Sequence, residues 1–103
     1  MIKSLISDIQ WDDRGLVTVV VQDYKSAKIL MVAWANQAAI IKSIEDGRAC
    51  FWSRSRSALW LKGESSGHYQ LIKDIYLDCD GDTLVFKVEQ VGGIACHTGR
   101  NSC

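Results

Sequence analysis

Residues 16–34, LVTVVVQDYKSAKILMVAW, decide the fold because they place two strongly apolar runs on either side of a short polar connection. The first run, 16–21, is rich in β-branched residues, which favour strands, and we predict that it is buried on both faces. The second run, 29–34, is a second predicted strand. Because only a polar segment at 23–28 connects them, the two runs predict a β-hairpin with a longer loop.

One helix is predicted directly after this hairpin. Asn36 can cap its N-terminus, isoleucines recur at helical spacing within 37–46, and Gly47 suits the C-terminal cap. The remaining apolar segments predict strands over 48–53, 58–62, 69–78 and 83–90, with polar turns between them. We therefore predict a mainly β fold of the α+β class, with antiparallel sheets and one principal helix near 36–46, in a single domain covering 1–103.

Composition excludes several classes of protein. The 103 residues carry 12 basic and 12 acidic side chains, so the formal net charge is zero and no overall basic surface for nucleic acid is expected. No apolar run approaches the roughly 18 residues of a membrane span, and no apolar signal-peptide core is found near the N-terminus. We therefore expect a cytoplasmic protein without a membrane or nucleic-acid partner.

Three of the four cysteines have polar neighbours and could bind a metal. Cys79 lies among aspartates, whereas a short segment that contains Gly99 separates Cys96 from Cys103 and can fold back on itself. Three thiolates with one open position are the pattern of a catalytic zinc site. Unrelated free thiols, or a redox-active pair of Cys96 and Cys103, would give the same spacing. Cys50 lies in an apolar run and is predicted to be a small buried side chain.

Asp78, Asp80 and Asp82 recur with a period of two residues. If the strand continues through them, their carboxylates share one face and repel one another unless a cation lies among them. Carboxylate oxygens suit Mg²⁺, so a magnesium site is one interpretation, and an exposed turn is the other. The pattern also resembles the start of a calcium-binding EF-hand loop, but Thr83 stands where that loop requires glycine, so we reject this interpretation.

The segment FWSRSR, residues 51–56, places aromatic residues next to arginines. The guanidinium groups of Arg54 and Arg56 can bind phosphate, and Trp52 can stack on a nucleobase. These residues are therefore candidates for a nucleotide site. The alternative is a core tryptophan beside arginines that are merely exposed to solvent.

Two histidines are candidates for proton transfer. His68 follows a loop, 63–67, that offers glycine backbone and serine hydroxyls, and His97 is adjacent to Cys96. Histidine is the side chain whose ordinary pKa lies closest to neutrality, which suits acid–base catalysis.

Four segments together resemble one family, the phosphoribosyl-AMP cyclohydrolases of histidine biosynthesis. They are FWSRSR at 51–56, KGESSGH at 62–68, LDCDGD at 77–82 and ACHTGRNSC at 95–103. The resemblance implies a hydrolase that opens the N1–C6 bond of the adenine ring of phosphoribosyl-AMP, giving the phosphoribosylformimino aminoimidazole carboxamide ribotide. It also implies one Zn²⁺ per subunit, a requirement for Mg²⁺, and a homodimer whose active sites lie at the subunit interface.

The same resemblance implies roles for individual residues. The zinc ligands would be Cys96 and Cys103 of one chain with Cys79 of the other, and the magnesium ligands would be Asp78, Asp80 and Asp82. We expect His97, and after it His68, to transfer protons. From their side-chain chemistry, rather than from the resemblance, we expect the substrate to be bound by Trp52, Arg54, Arg56, Lys62, Ser65, Ser66 and Arg100. The competing prediction is a small zinc-stabilised nucleotide-binding module without catalysis.

Overall fold

The fold follows from a computed structural model, which describes residues 2–91. Two helices and six strands succeed one another along this part of the chain. Their bounds are α1 Ile2–Asp8, β1 Val17–Asp23, β2 Ile29–Ala35, α2 Gln37–Asp46, β3 Cys50–Ser53, β4 Ala58–Leu61, β5 Gln70–Leu77 and β6 Thr83–Gln90. The predicted strands and the predicted principal helix are all present, with ends that differ by a residue or two.

The main sheet has four strands in the order β2-β1-β6-β5, and β3 pairs with β4 in a separate hairpin. The β1–β2, β5–β6 and β3–β4 pairs are antiparallel, and the hairpin predicted within 16–34 is confirmed. The central β1–β6 pair is parallel, with Thr18 opposite Thr83. The main sheet is therefore mixed, and the predicted antiparallel pairing holds for every pair of these strands except the central one.

One face of the main sheet carries the core. Val17, Val19 and Val21 of β1 point to the same side as Leu84 and the two apolar residues that alternate after it in β6, and all are buried. Helix α2 and the β3–β4 hairpin supply further members of the same cluster, including Ile40 and Phe51. The alternate residues of β1 are only half-buried, so this strand is not fully buried on both faces as predicted.

Helix α2 begins and ends as its sequence predicts. The side chain of Asn36 accepts the backbone N–H of Ala39 at 2.9 Å, and Gly47 adopts φ 71° while its N–H donates to the Ser43 carbonyl. Buried Ser43 connects the helix to β3, because its Oγ accepts the Cys50 N–H at 2.9 Å and lies 3.0 Å from the Cys50 carbonyl.

Helix α1 was not predicted, although apolar residues recur at helical spacing from Ile2 to Ile9. Ile9 directly follows α1 and is buried in the core. The next residue, Gln10, donates its backbone N–H to the carbonyl of Gly81 at 2.7 Å. This hydrogen bond holds the N-terminal segment against the turn between β5 and β6. Neither helix within residues 2–91 is long and apolar enough to cross a lipid bilayer.

Candidate functional site

The three aspartates of the β5–β6 turn converge. One carboxylate oxygen from each of Asp78, Asp80 and Asp82 lies within 4.8 Å of the other two, and all three residues are exposed. The predicted strand over 69–78 ends at Leu77, so a turn brings the carboxylates together rather than the shared face of a strand. The three carboxylates are grouped, and their geometry is that of the exposed turn, the second of the two interpretations, rather than that of a strand face.

Backbone contacts fix the shape of this turn. Asp78 Oδ1 accepts the N–H of Asp82 at 3.1 Å and that of Thr83 at 3.3 Å. Gly81 has φ +75°, and a side chain there would place its Cβ 2.8 Å from the backbone oxygen of Asp8. The turn therefore requires glycine at this position, both for its conformation and for the close approach of the N-terminal segment.

The donor set of the turn fits a hard divalent cation. None of the three aspartates has an ion-pair partner among the residues that the structure describes. Three unneutralised carboxylates at this separation repel one another, and Mg²⁺ prefers such oxygen ligands with water completing its coordination. Asp78, Asp80 and Asp82 are therefore the residues of this region that could hold Mg²⁺.

The two cysteines that the structure describes have the environments predicted for them. Cys50 is 1% exposed, and burial raises the pKa of its thiol, as expected for the small buried side chain that the sequence predicts. Cys79 is exposed within the aspartate turn and available to a ligand outside its own chain. The other expected zinc ligands, Cys96 and Cys103, lie outside the described residues, as do His97 and Arg100.

Next to the β3–β4 hairpin lies an open groove of about 480 Å³ that contains Trp52 and Arg54. Trp34, Trp60 and Arg14 also line it. Trp52 is half-buried at the groove wall rather than in the core. The interpretation of Trp52 as a core residue is therefore wrong, and its indole ring remains available to a ligand.

Arg54 has a defined position in this groove. Its guanidinium carbon lies 3.6 Å from the centre of the Trp34 ring. Arg56 lies in the turn after β3 and lines an adjoining cavity of about 300 Å³, whose other lining residues include Ser53 and Trp60. Both arginines predicted to bind phosphate are thus exposed and close to Trp60.

The other predicted site residues within 2–91 that lie after β4 belong to another surface. Lys62, Ser65, Ser66 and His68 lie in and beside the loop after β4, and none of them lines the groove of Trp52 and Arg54. His68 is half-buried, and its backbone N–H donates to Ser66 Oγ at 3.2 Å. Within residues 2–91, these side chains and the groove residues do not form one continuous pocket.

The register of the main sheet relates the groove to the aspartate turn. Thr18 of β1 is opposite Trp34 on one side and opposite Thr83 on the other. With adjacent strands about 5 Å apart, the Cα atoms of Trp34 and Thr83 are separated by roughly 10 Å. Since Thr83 directly follows the aspartate turn, the groove and the turn lie at the same end of the sheet.

Sequence reasoning did not assign Trp34 and Arg14 to the site. Alternation along β2 indicates that Trp34 lies on the face opposite the core. Ala33 and Ala35 are buried, so Trp34 between them must point to the other side. Arg14 lies in a loop before β1, and the sequence gives no sign that this loop approaches β3.

A cluster of oxygen ligands beside a groove of arginines and tryptophans is typical of proteins that bind phosphate compounds, nucleotides above all. Comparison with known proteins identifies the family. A family profile described as phosphoribosyl-AMP cyclohydrolase matches residues 31–103. The chain belongs to the phosphoribosyl-AMP cyclohydrolase family and is an enzyme of the hydrolase class.

Three relatives of that name illustrate the similarity. The protein of Chromobacterium violaceum is 53% identical over 100 residues, which cover 97% of this chain and 76% of the relative. That of Marinobacter nauticus is 56% identical over 98 residues, covering 95% and 71% respectively. That of Aromatoleum aromaticum is 54% identical over 98 residues, covering 95% and 74%.

Proposed function

We propose that this chain hydrolyses the N1–C6 bond of the adenine ring of phosphoribosyl-AMP, as a step of histidine biosynthesis in the cytoplasm. The observation that carries the proposal is the convergence of Asp78, Asp80 and Asp82 in a turn at the same end of the sheet as the groove of Trp52 and Arg54. The family's name supports phosphoribosyl-AMP as the substrate. The groove offers an aromatic ring for the base and a guanidinium for phosphate, and the aspartate turn offers oxygen ligands for a metal ion.

The proposed reaction adds one water molecule across a ring bond. The water oxygen bonds to C6, one water proton goes to the exocyclic imino nitrogen, the C6–N1 bond breaks, and the other water proton is transferred to N1. C6 becomes a carboxamide because its exocyclic nitrogen is retained. The ribosyl phosphate on N1 leaves the ring poor in electrons, which favours addition at C6.

Two bound metal ions are part of the proposal. When bound, Zn²⁺ supplies a water whose pKa lies near neutrality. Its ligands would be Cys96 and Cys103 with Cys79 of the partner subunit, and the exposure of the thiol at position 79 supports this sharing. Mg²⁺ would be held by the aspartate turn and would neutralise phosphate charge next to it.

Side chains of the chain itself bind the substrate and move protons. Trp52 would stack on the base, and the phosphates would be bound by Arg54, Arg56, Lys62 and Arg100, with hydroxyls from Ser65 and Ser66. His97 is the first candidate for delivering a proton to N1, and His68 is the second.

The proposed assembly is a homodimer. The face of the main sheet opposite the core carries large exposed apolar side chains, with Val32 51% exposed and Tyr76 49% exposed. A second copy of the chain would cover such a surface by symmetry. The zero net charge of the chain does little to oppose this association.

The decisive experiment measures turnover and metal content together. The purified protein is mixed with phosphoribosyl-AMP, and ring opening is followed by the change in ultraviolet absorbance. We expect Cys96→Ala to lose both zinc and activity, while Cys50→Ala, which changes a buried thiol, keeps both. Full turnover by Cys96→Ala would contradict the zinc assignment. Nucleotide binding without turnover by the wild-type protein would contradict the proposed reaction.

Magnesium binding is tested on the turn itself. Asp80→Asn removes a carboxylate that makes no hydrogen bond within the described residues, so the turn should keep its shape. We expect its affinity for Mg²⁺, measured by titration of the purified protein, to fall about tenfold or more, because one of three charged ligands is neutralised. Asp13→Asn, an exposed change elsewhere, is the control and should leave the affinity unchanged.

A further inference from the structure

Trp34 and Arg54 form a stacked pair in the groove. Arg54 is exposed, yet its guanidinium lies directly over the indole ring at 3.6 Å. Stacking engages only the planar face of a guanidinium and leaves the N–H donors on its edge free. Within the described residues, Arg54 has no ion-pair or hydrogen-bond partner for these donors.

Asp12, whose charge interacts with Arg14 and Arg54, does not form an ion pair in the groove. Asp12 Oδ1 accepts the backbone N–H of Arg14 at 2.8 Å and that of Leu16 at 2.9 Å. These hydrogen bonds, with the positive charges of Arg14 and Arg54, lower the pKa of Asp12. The carboxylate nevertheless forms no ion pair with either arginine. The groove therefore presents two guanidinium groups to an incoming anion.

We propose that Trp34 is a positioning residue that holds the Arg54 guanidinium for the substrate's phosphate group. The inference rests on the proposed function, because it assigns the anion in this groove to the nucleotide substrate. An arginine side chain has many rotamers, and ordering them opposes binding. Stacking orders the side chain before the ligand arrives, with its paired donors along one edge, the geometry that matches two oxygens of a phosphate.

The indole is well placed for this role because its own position is fixed. Trp34 lies within strand β2, paired with Thr18 of β1, and its neighbours Ala33 and Ala35 are buried in the core. Arg54 lies in a turn and has no such constraint from its own element. Trp34, which the strand holds in place, therefore orients Arg54 in the turn. The experiment tests whether Arg54 depends on Trp34 in this way.

The test separates substrate affinity from the chemical step. We expect Trp34→Leu and Trp34→Met to raise KM for phosphoribosyl-AMP about tenfold and to weaken AMP binding similarly, with kcat nearly unchanged. Trp34→Phe keeps an aromatic face and should restore most of the affinity. Tyr24→Leu, which removes an aromatic ring beside lysines at the other end of the hairpin, is the control and should change neither parameter.

A double-mutant cycle decides whether Trp34 acts through Arg54. In the background of Arg54→Ala, the further change Trp34→Leu should weaken AMP binding by less than about twofold. An equal loss in both backgrounds, or unchanged AMP affinity in folded Trp34→Leu and Trp34→Met, would overturn the inference. Failure of the wild-type protein to turn over phosphoribosyl-AMP would instead overturn the proposed function, and the AMP cycle would still report on the stacked pair.

Discussion

At the scale of single residues, two glycines show how backbone conformation shapes the candidate site. Gly63 and Gly67 bracket the loop that carries Ser65 and Ser66, with φ +87° and +78°. A Cβ at Gly67 would meet no heavy atom within 4 Å, whereas a Cβ at Gly63 would overlap the backbone carbonyl of His68. The two positions therefore share a conformational requirement, and only Gly63 has a steric one.

This difference predicts unequal effects of the same substitution. Gly67→Ala should lower the free energy of unfolding by about 1–2 kcal/mol, the cost of a left-handed backbone for a residue with a Cβ. Gly63→Ala should cost more than about 3 kcal/mol, because the backbone of His68 must also move. Chemical denaturation of both variants measures the two values, and equal losses would contradict the steric argument.

Residue-level features of the site were predictable to different degrees. Buried Cys50 follows from its apolar neighbours, and the aspartate grouping follows from short spacing, which brings side chains together in a strand or in a turn. The stacking of Arg54 on Trp34 depends on how β3 approaches β2 in space. No spacing along the chain encodes that approach, so the sequence could not predict it.

At the scale of elements, Ser43 joins helix α2 to strand β3. Its Oγ lies 2.8 Å from the Ala39 carbonyl and also engages both backbone groups of Cys50, all in the buried core. The first of these contacts stays within the helix, and the others cross to the strand. One hydroxyl group thus satisfies backbone groups at the boundary between two elements, next to the hairpin that bears Arg54.

Removal of this hydroxyl group should destabilise the contact between helix α2 and strand β3. Ser43→Ala leaves the buried N–H of Cys50 without a partner, so we expect a loss of about 1–3 kcal/mol in the free energy of unfolding, measured in urea. Lys42→Ala on the same helix removes an exposed ion pair with Asp46 at 3.2 Å and should cost at most about 0.5 kcal/mol. A Ser43→Ala variant no less stable than Lys42→Ala would contradict the role given to this hydroxyl.

The elements themselves were easier to predict than their arrangement. Asn36 and Gly47 set the ends of α2 through local hydrogen bonds, which the sequence contains in full. Helix α1 was missed because seven residues make only about two turns and give a weak pattern. The parallel pairing of β1 with β6 was missed because alternation identifies a strand and its faces but not its partner.

At the scale of the whole molecule, the proposed zinc site needs two copies of the chain. Cys79 is exposed in the aspartate turn and would act in the site of the partner subunit. This arrangement predicts that two inactive variants can restore activity when combined. In a dimer of Cys79→Ser with Cys96→Ser, one site carries both changes, and the other site carries neither.

Co-expression of the two variants at equal levels should therefore give roughly a quarter of wild-type activity, because half of the dimers are mixed and each has one intact site. Each variant alone should be inactive, and size-exclusion chromatography with light scattering should report a dimer throughout. An inactive mixture of folded, dimeric variants would contradict a site shared between subunits.

The parallel pair at the centre of the sheet also bears on how the chain acquires its structure. Thr18 and Thr83 are 65 residues apart along the chain, yet they are neighbours in the middle of the sheet. Contacts between such distant segments slow folding, since a long loop must close before they form. On the ribosome, the β1–β2 hairpin can assemble early, but the edge of β1 that pairs with β6 has no partner strand until β6 has been synthesised. We therefore expect the nascent protein to depend on chaperones until β6 has emerged from the ribosome.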